Sequence, residues 1–271
     1  MSVTDSVLLR DFDNGVLTLT WNRPEQRNGW NADLEQAYFS ALDDAESDDA
    51  VRAIVVTGAG KTFCPGVDSS RMDAAAGKPL DLSARRPFHR PLQVRKPMIA
   101  AINGACAGVG VVLALQCDIR FAARGIRFAT SFARRGLPAE RGIAWLLPRL
   151  IGPERALDLL MSGRPFDADE ALSLGVVSRL SAPDEVVGDA QQYALMLATE
   201  CSPTAMAVIK HQVHSDLFSD FESSYQRADR ALTALAAGPD CREGVDAFLQ
   251  RRAPQFPALP ADFRPDSLLG D

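Results

Sequence analysis

The groups with the clearest capacity for chemistry are backbone N–H groups in a glycine-spaced stretch, residues 96–115. One apolar run ends at Asn103-Gly104, and a second begins near Val109. We predict a buried strand, a tight turn and a helix that begins at Val109 or Gly110. The first N–H groups of a helix lack partners and favour negative charge, and Gly108 and Gly110 would let a ligand approach them. Such a site suits an oxygen that becomes negative during a reaction; close packing of the helix on a strand explains the glycines equally well.

A second candidate is a carboxylate before a later apolar helix. Glu140 lies between Pro138 and Gly142, just ahead of that helix. It is either a charge that stabilises the helix N-terminus or an acid/base in a pocket. Earlier in the chain, Pro65-Gly66 predicts a turn that presents the Val67 N–H outward.

Other ionisable residues give weaker signals. Arg23 and Arg27 lie in a polar loop, where they would either meet a ligand phosphate or remain solvated surface charges. His89 lies in an irregular stretch, residues 69–95, that we interpret as a partly helical lid over a pocket; the alternative is an exposed histidine without a role. His211 and His214 are three residues apart on a predicted helix without an evident third ligand, so we predict no metal site.

The elements that must position these groups follow a repeating order. Strand–strand–helix units extend to about residue 180, and helices follow. Asn31, Asp167 and Ser202 are predicted helix caps. The predicted strands are 7–9, 16–21, 51–57, 98–102, 118–123, 127–131 and 176–180. The predicted helices begin after Asn31 and Gly142, and then cover 153–162, 168–174, 185–199, 203–217, 221–237 and 245–252, before an extended tail.

Composition limits the class of protein. The chain has 271 residues, 46% hydrophobic and 24% charged, with a net charge of −6. A chain with no basic excess is not expected to bind nucleic acid. Five scattered cysteines without CxxC spacing indicate reduced thiols in the cytoplasm rather than a disulfide framework. The N-terminus has no signal-peptide pattern, and Asn-Gly within the longest apolar run argues against a membrane span.

Several ordered motifs together resemble the crotonase superfamily, the enoyl-CoA hydratase/isomerase family, over roughly residues 7–256. The motifs that carry the resemblance are Asn22-Arg23-Pro24, residues 51–58, Phe63-Cys64-Pro65-Gly66-Val67-Asp68, residues 96–118, Ser162-Gly163, Ala171-Leu174-Gly175-Val177, and Arg242-Glu243-Gly244 with Phe248.

The resemblance implies an α/β fold, a crotonase-like spiral of ββα repeats with a C-terminal helical region. It implies a core over residues 1–195 and a trimerisation region with a tail over residues 196–271. The expected partners are an acyl-CoA thioester and other copies of the chain, in a homotrimer or hexamer. No cofactor is expected, because coenzyme A is part of the substrate. The implied setting is fatty acid metabolism in the cytoplasm.

The resemblance also implies the site. The backbone N–H groups of Val67 and Val109 would hold the thioester oxygen, each typically contributing about 3–4 kcal/mol to catalysis. The loop Gln26-Arg27-Asn28 would hold the CoA nucleotide. Phe248 and Arg251 would contact the adenosine part, often from a neighbouring subunit. The remaining implied substrate-binding residues are Cys64, Gly66, Asp68, Ala105, Gly108 and Phe132.

The departures from the family pattern restrict the reaction. A hydratase of this family uses two glutamates to position and activate water, and this chain has Val112 and Phe132 in their places. Glu140 matches a position that is catalytic in members resembling dienoyl-CoA isomerase and dehalogenase. We therefore expect isomerase- or lyase-type chemistry with Glu140 as the acid/base. The alternative is a catalytically silent acyl-CoA-binding or carrier protein.

Overall fold

The computed structural model describes residues 6–79 and 86–269, apart from the side chains of residues 74 and 75. The predicted lid, residues 69–95, therefore lies partly outside the described residues. Its described portion contains two short helices, Ser69–Ala75 and Arg90–Gln93.

The elements of the described residues are numbered in chain order. Strands β1 to β10 are Leu8–Asp13, Val16–Trp21, Ala53–Gly58, Thr62–Cys64, Met98–Ile102, Ala105–Ala107, Ile119–Ala123, Arg127–Ala129, Pro165–Asp167 and Arg179–Ser181. Helices α1 to α12 are Ala32–Ser47, Ser69–Ala75, Arg90–Gln93, Val109–Leu115, Ile143–Ile151, Pro153–Ser162, Ala168–Leu174, Val186–Glu200, Pro203–Asp216, Phe221–Ala236, Pro239–Gln250 and Asp266–Leu269.

The strands are divided between two sheets in a regular order. The larger sheet has the order β1-β2-β3-β5-β7-β10, and the smaller has the order β4-β6-β8-β9. Within the larger sheet β2, β3, β5, β7 and β10 are parallel, and within the smaller sheet β4, β6 and β8 are parallel. Each of the pairs β3–β4, β5–β6 and β7–β8 gives its first strand to the larger sheet and its second to the smaller. This alternation confirms the predicted spiral of ββα repeats.

The larger sheet is covered on both faces. In β3, Ile54 and Val56 join the cluster that contains the apolar side chains of α1 and α4. Ala53 and Val55 face the opposite way and pack with the apolar face of α8. The alternation follows from the two-residue period of a strand, and burial on both faces explains why β3 and β5 are apolar throughout.

Local signals located the helices well. The predicted bounds of α6 and α7 are confirmed. Asn31, Asp167 and Ser202 each accept a backbone N–H in the first turn of the helix that they precede. These caps depend only on residues within the same turn.

Several local predictions were wrong. Strands β4, β6 and β9, each of three residues, were missed, although the equally short β8 lies within the predicted strand 127–131. Helix α11 begins at Pro239, six residues before the predicted start. The tail is not wholly extended, since α12 lies within it. The predicted strand 176–180 is shifted to β10, Arg179–Ser181.

The predicted boundary at residue 195 lies inside α8. Ala190, Ala194 and Ala198 of that helix are buried against the larger sheet. The division into a core and a trimerisation region stays a prediction. Among the helices of the described residues, none combines the length and the apolar character needed to span a bilayer.

Candidate active site

Three parallel strands of the smaller sheet end at one edge. β4, β6 and β8 pair in parallel, with Cys64 opposite Cys106 and Ala107 opposite Ala129. The segments that follow the three strands therefore leave the sheet side by side. They carry Val67, Val109 and Phe132, which are distant in the sequence.

The Val67 N–H is directed away from the neighbouring segment, which contains Trp30. Trp30 and Val67 form an isolated parallel bridge. The bridge consists of hydrogen bonds from the Trp30 N–H to the Gly66 carbonyl, 2.8 Å, and from the Asp68 N–H to the Trp30 carbonyl, 3.0 Å. Among the described residues, the Val67 N–H donates no hydrogen bond. This donor is therefore available to a ligand.

The Val109 N–H is a second available donor. Val109 is the first residue of α4, so its N–H has no partner within the helix. No acceptor for it is found in the described part of the chain. A Cβ added to Gly108 would lie only 3.7 Å from the Gly66 Cα. The segment that carries Val67 therefore lies close to the segment that carries Val109. The two N–H groups thus lie at the same edge, as an oxyanion hole requires.

Gly110 has a different role from the predicted one. A Cβ added to Gly110 would lie 2.2 Å from the Cys64 carbonyl oxygen. The missing side chain therefore allows α4 to pack directly on β4, not a ligand to approach the backbone. For this glycine, close packing was the correct interpretation.

The surroundings of this edge are apolar. Val112 is fully buried and Phe132 is 5% exposed. Cys64 is also buried, and burial raises the pKa of its thiol to about 12. Cys64 is therefore a thiol at neutral pH, without the thiolate that a nucleophile needs. Neither Val112 nor Phe132 can transfer a proton.

Glu140 lies in the turn before α5 and does not cap that helix. The N-cap residue is Gly142, and no side chain caps it. The Glu140 carbonyl accepts a hydrogen bond from the Ile143 N–H, 3.1 Å, while its side chain is 32% exposed. Its carboxylate oxygen Oε2 lies 3.7 Å from Arg141 Nε. Glu140 therefore lies two residues before the N-cap of α5 without capping the helix, and both the charge at the helix N-terminus and the acid/base role stay predictions.

The predicted nucleotide loop divides into exposed and buried parts. Gln26 and Arg27 are exposed, whereas Asn28 is fully buried. The Asn28 amide donates to the carbonyls of Ala59, 2.9 Å, and Thr62, 2.6 Å. The Asn28 amide therefore stabilises the loop, and contact between this loop and the CoA nucleotide stays a prediction.

Arg23 and Asp68 are paired with each other. Arg23 Nη2 lies 2.9 Å from Asp68 Oδ2, and both side chains are largely buried. Hydrogen bonds from Ser70 and then Arg23 lower the pKa of Asp68. Asp68 also caps α2 by accepting the Ser70 N–H. This pair stabilises the segment that follows Val67.

The remaining predicted residues lie at or near the surface. Ala105 and Arg251 are exposed, and Phe248 is 82% exposed at the end of α11. His89 is also exposed. The described residues contain no group of three or more side chains that could together hold a metal ion. His211 and His214 are therefore not part of such a group.

Sequence reasoning missed the residues around Glu140. Trp30, Glu35, Phe88 and Arg141 come from four separate segments and meet beside the turn that carries Glu140. Glu35 resembles an ordinary acidic residue in the first turn of a helix, so its sequence context gave no signal.

Comparisons with known proteins indicate the same family over nearly the whole chain. The sequence model described as "Enoyl-CoA hydratase/isomerase" matches residues 11–258. The chain is 38% identical over 264 residues to the 1,2-epoxyphenylacetyl-CoA isomerase of Escherichia coli (strain K12), covering 92% of this chain and 97% of that protein. It is 33% identical to a "Probable enoyl-CoA hydratase" of Rhodobacter capsulatus, covering 91% of this chain and 96% of that protein. An enoyl-CoA hydratase structure from Polaromonas sp. JS666 superposes with a TM-score of 0.86 at 29% identity, covering 92% of this chain and 99% of that one.

Proposed function

The chain belongs to the enoyl-CoA hydratase/isomerase family of acyl-CoA-processing enzymes, and on that premise we propose an isomerase- or lyase-type reaction through a thioester enolate. The backbone N–H groups of Val67 and Val109 hold the enolate oxygen, and Glu140 moves the proton. The observation that carries the proposal is the pair of unpartnered N–H donors at one edge of the smaller sheet, surrounded by apolar side chains.

The proposed proton transfer is balanced within the site. Glu140 takes a proton from a carbon beside the thioester carbonyl, and the resulting charge moves to the carbonyl oxygen. The two N–H groups stabilise that charge more strongly than the neutral carbonyl, so they lower the barrier. Glu140 then returns the proton to another carbon of the conjugated chain, which completes an isomerisation.

The side chains at the site favour this chemistry over hydration. Adding water across a double bond needs groups that orient and deprotonate the water molecule. The positions that would supply them hold Val112 and Phe132, both buried. A single carboxylate suffices for a proton shift within the substrate, and the relative with 38% identity is named an isomerase.

The same relative suggests which acyl groups to examine. Its name specifies an epoxide of phenylacetyl-CoA. We propose that the substrate panel include an aromatic acyl-CoA epoxide beside straight-chain enoyl-CoAs. Arg27 is exposed in the loop proposed to meet the CoA phosphates, and its charge suits that contact.

The test is mass spectrometry of acyl-CoAs incubated with the protein in heavy water. We expect protein-dependent deuterium uptake or an isomerised product for at least one thioester. Glu140→Gln keeps the size of the side chain but removes the base, so turnover should fall by about 100-fold or more. Binding of the acyl-CoA should change by less than about threefold, because only transition-state stabilisation is removed.

Glu185→Gln is the matched control, since Glu185 is an exposed carboxylate before α8 and should not affect turnover. Turnover retained in Glu140→Gln would exclude Glu140 from the mechanism. Saturable binding without deuterium uptake across the panel would instead favour the alternative, a catalytically silent acyl-CoA-binding or carrier protein, for which Val112 and Phe132 are the motivation.

A further inference from the structure

A largely buried ion-pair cluster lies beside the turn that carries Glu140. Glu35 Oε2 accepts a hydrogen bond from Trp30 Nε1, 2.8 Å. The same oxygen lies 3.9 Å from Nη1 of Arg71 and 3.9 Å from Nη1 of Arg141. The side chains of Glu35 and Arg141 are only 14% and 7% exposed. One carboxylate of α1 thus faces two guanidinium groups from α2 and the turn before α5.

Arg141 contacts the candidate acid/base directly. Its Nε lies 3.7 Å from Glu140 Oε2, whereas its Nη1 is the atom nearest to Glu35. The guanidinium also lies 3.8 Å from the centre of the Phe88 ring. A planar cation that stacks on an aromatic ring and faces two carboxylates has little freedom to move. Arg141 therefore restricts where the Glu140 carboxylate can lie.

Within the described residues, the cluster pairs two carboxylates with two guanidinium groups. Glu35 and Glu140 supply two negative charges, and Arg71 and Arg141 supply two positive ones. A buried charge without a partner is costly. Without Glu35, Arg141 would lose the attraction that holds its guanidinium toward α1. Without Arg141, the Glu140 carboxylate would lose its charged neighbour.

The cluster is continuous with the proposed oxyanion hole. The indole of Trp30 donates to Glu35. The backbone of Trp30 bonds to Gly66 and Asp68, the residues on either side of Val67. A chain of direct contacts therefore runs from Glu140 through Arg141, Glu35 and Trp30 to the segment of the Val67 N–H.

The turn itself gives Glu140 little support. Arg141 and Gly142 both have positive φ, 55° and 84°, which produces a sharp bend immediately after Glu140. No side chain caps α5 at Gly142. The position of the Glu140 side chain therefore depends on side-chain contacts such as the one with Arg141.

We propose that Glu35 and Arg141 are positioning residues, which hold the Glu140 carboxylate at a fixed place relative to the Val67 N–H. This inference rests on the proposed function of Glu140. Proton transfer needs the base within hydrogen-bond reach of the proton, and a displacement of about 1 Å can reduce the rate on the order of 100-fold. The pair thus affects the rate of the chemical step without touching the substrate.

The test compares Arg141→Gln, Glu35→Gln and the double variant by steady-state kinetics. Glu35→Gln retains an oxygen that accepts the Trp30 indole N–H. Each single variant should lower kcat by about 10- to 100-fold and leave KM within about threefold. The double variant should be no worse than Arg141→Gln, because both changes disrupt the same contact. Arg141→Lys keeps the charge and should restore part of kcat.

Arg227→Gln is the matched control. Arg227 pairs with Asp216 between α9 and α10, and its side chain is 12% exposed. It should lower thermal stability and leave kcat unchanged. Hydrogen exchange across residues 137–145 gives a readout independent of turnover: exchange should be faster in Arg141→Gln and Glu35→Gln, and unchanged in Arg227→Gln.

Two results would overturn the inference. The first is kcat within about twofold of wild type in Arg141→Gln while Glu140→Gln eliminates turnover. The second is unchanged hydrogen exchange across residues 137–145 in both single variants. If Glu140→Gln itself retains turnover, the proposed function fails, and the exchange measurement still decides whether Glu35 and Arg141 hold the turn.

Discussion

At the scale of single residues, the direction of the Val109 N–H depends on Gly108. Gly108 has φ 51° and ψ −120°, a combination that side chains with a Cβ rarely adopt. Its N–H donates to the Ala129 carbonyl, 2.9 Å, and its carbonyl accepts from Val111 and Val112. These hydrogen bonds hold both the N–H and the carbonyl of Gly108, so they fix the direction of the Val109 N–H that follows.

Gly108→Ala should impair turnover more than folding. A Cβ there has space, 3.7 Å from the Gly66 Cα, so the cost is backbone strain of about 1–3 kcal/mol. Relief of the strain would rotate the Val109 N–H, and loss of one oxyanion donor costs about 100- to 1000-fold in kcat. Chemical denaturation and steady-state kinetics measure the two effects.

Gly125→Ala is the control for that prediction. Gly125 has φ 77° in the turn between β7 and β8, and a Cβ there meets no atom within 4 Å. It should lose comparable stability and keep kcat. Equal kcat in the two variants would contradict the role assigned to Gly108.

At the scale of elements, two glycines occupy helices for different reasons. Gly110 lies in the first turn of α4, where a Cβ would approach the Cys64 carbonyl to 2.2 Å. Gly188 lies near the start of α8, where it is exposed and a Cβ meets nothing within 4 Å. The first glycine permits a packing distance, whereas the second only lowers helix propensity.

The two alanine substitutions should therefore change the free energy of unfolding in opposite directions. Gly188→Ala should raise the free energy of unfolding by about 0.5–1 kcal/mol. Gly110→Ala must separate α4 from β4, so it should destabilise by at least about 1–3 kcal/mol, as overpacked cores do. Urea denaturation of both variants tests this; a Gly110→Ala protein as stable as wild type would contradict the packing role.

At the scale of the whole molecule, α9 presents an apolar face to solvent. Ile209, Val213 and Leu217 are 57%, 58% and 48% exposed and lie four residues apart. A cavity of about 550 Å³ between this helix, α5 and α8 is lined mainly by apolar side chains. Apolar surface of this kind is typical of an interface, and we propose that it is buried between subunits in the homotrimer or hexamer that the family resemblance implies.

Val213→Glu should weaken that assembly. A charge buried at an apolar interface without a partner is costly, so analytical ultracentrifugation should show a smaller species than for wild type. Ser173→Glu, which adds a charge at an exposed position of α7, should leave the mass unchanged. A monomeric wild-type protein would contradict the proposed homotrimer or hexamer.

The sequence by itself determined the features that arise within a few residues. The caps at Asn31, Asp167 and Ser202 and the bounds of α6 and α7 depend on contacts inside one turn of helix. The ordered motifs predicted the ββα spiral, and they identified the two N–H groups of Val67 and Val109 as candidates. Residue types also excluded water activation by Val112 and Phe132, since neither carries an ionisable group.

Only the tertiary structure decided how those groups meet. The pairing of β4 with β6, two strands that the sequence did not predict, brings Val67 and Val109 to one edge. The structure also assigned Gly110 to packing and the Asn28 amide to the loop. Glu35 and Arg141 are separated by more than a hundred residues, and their contact exists because α1 and the turn before α5 pack at the same place. Contacts of that range depend on the fold as a whole, so the residue types alone could not reveal them.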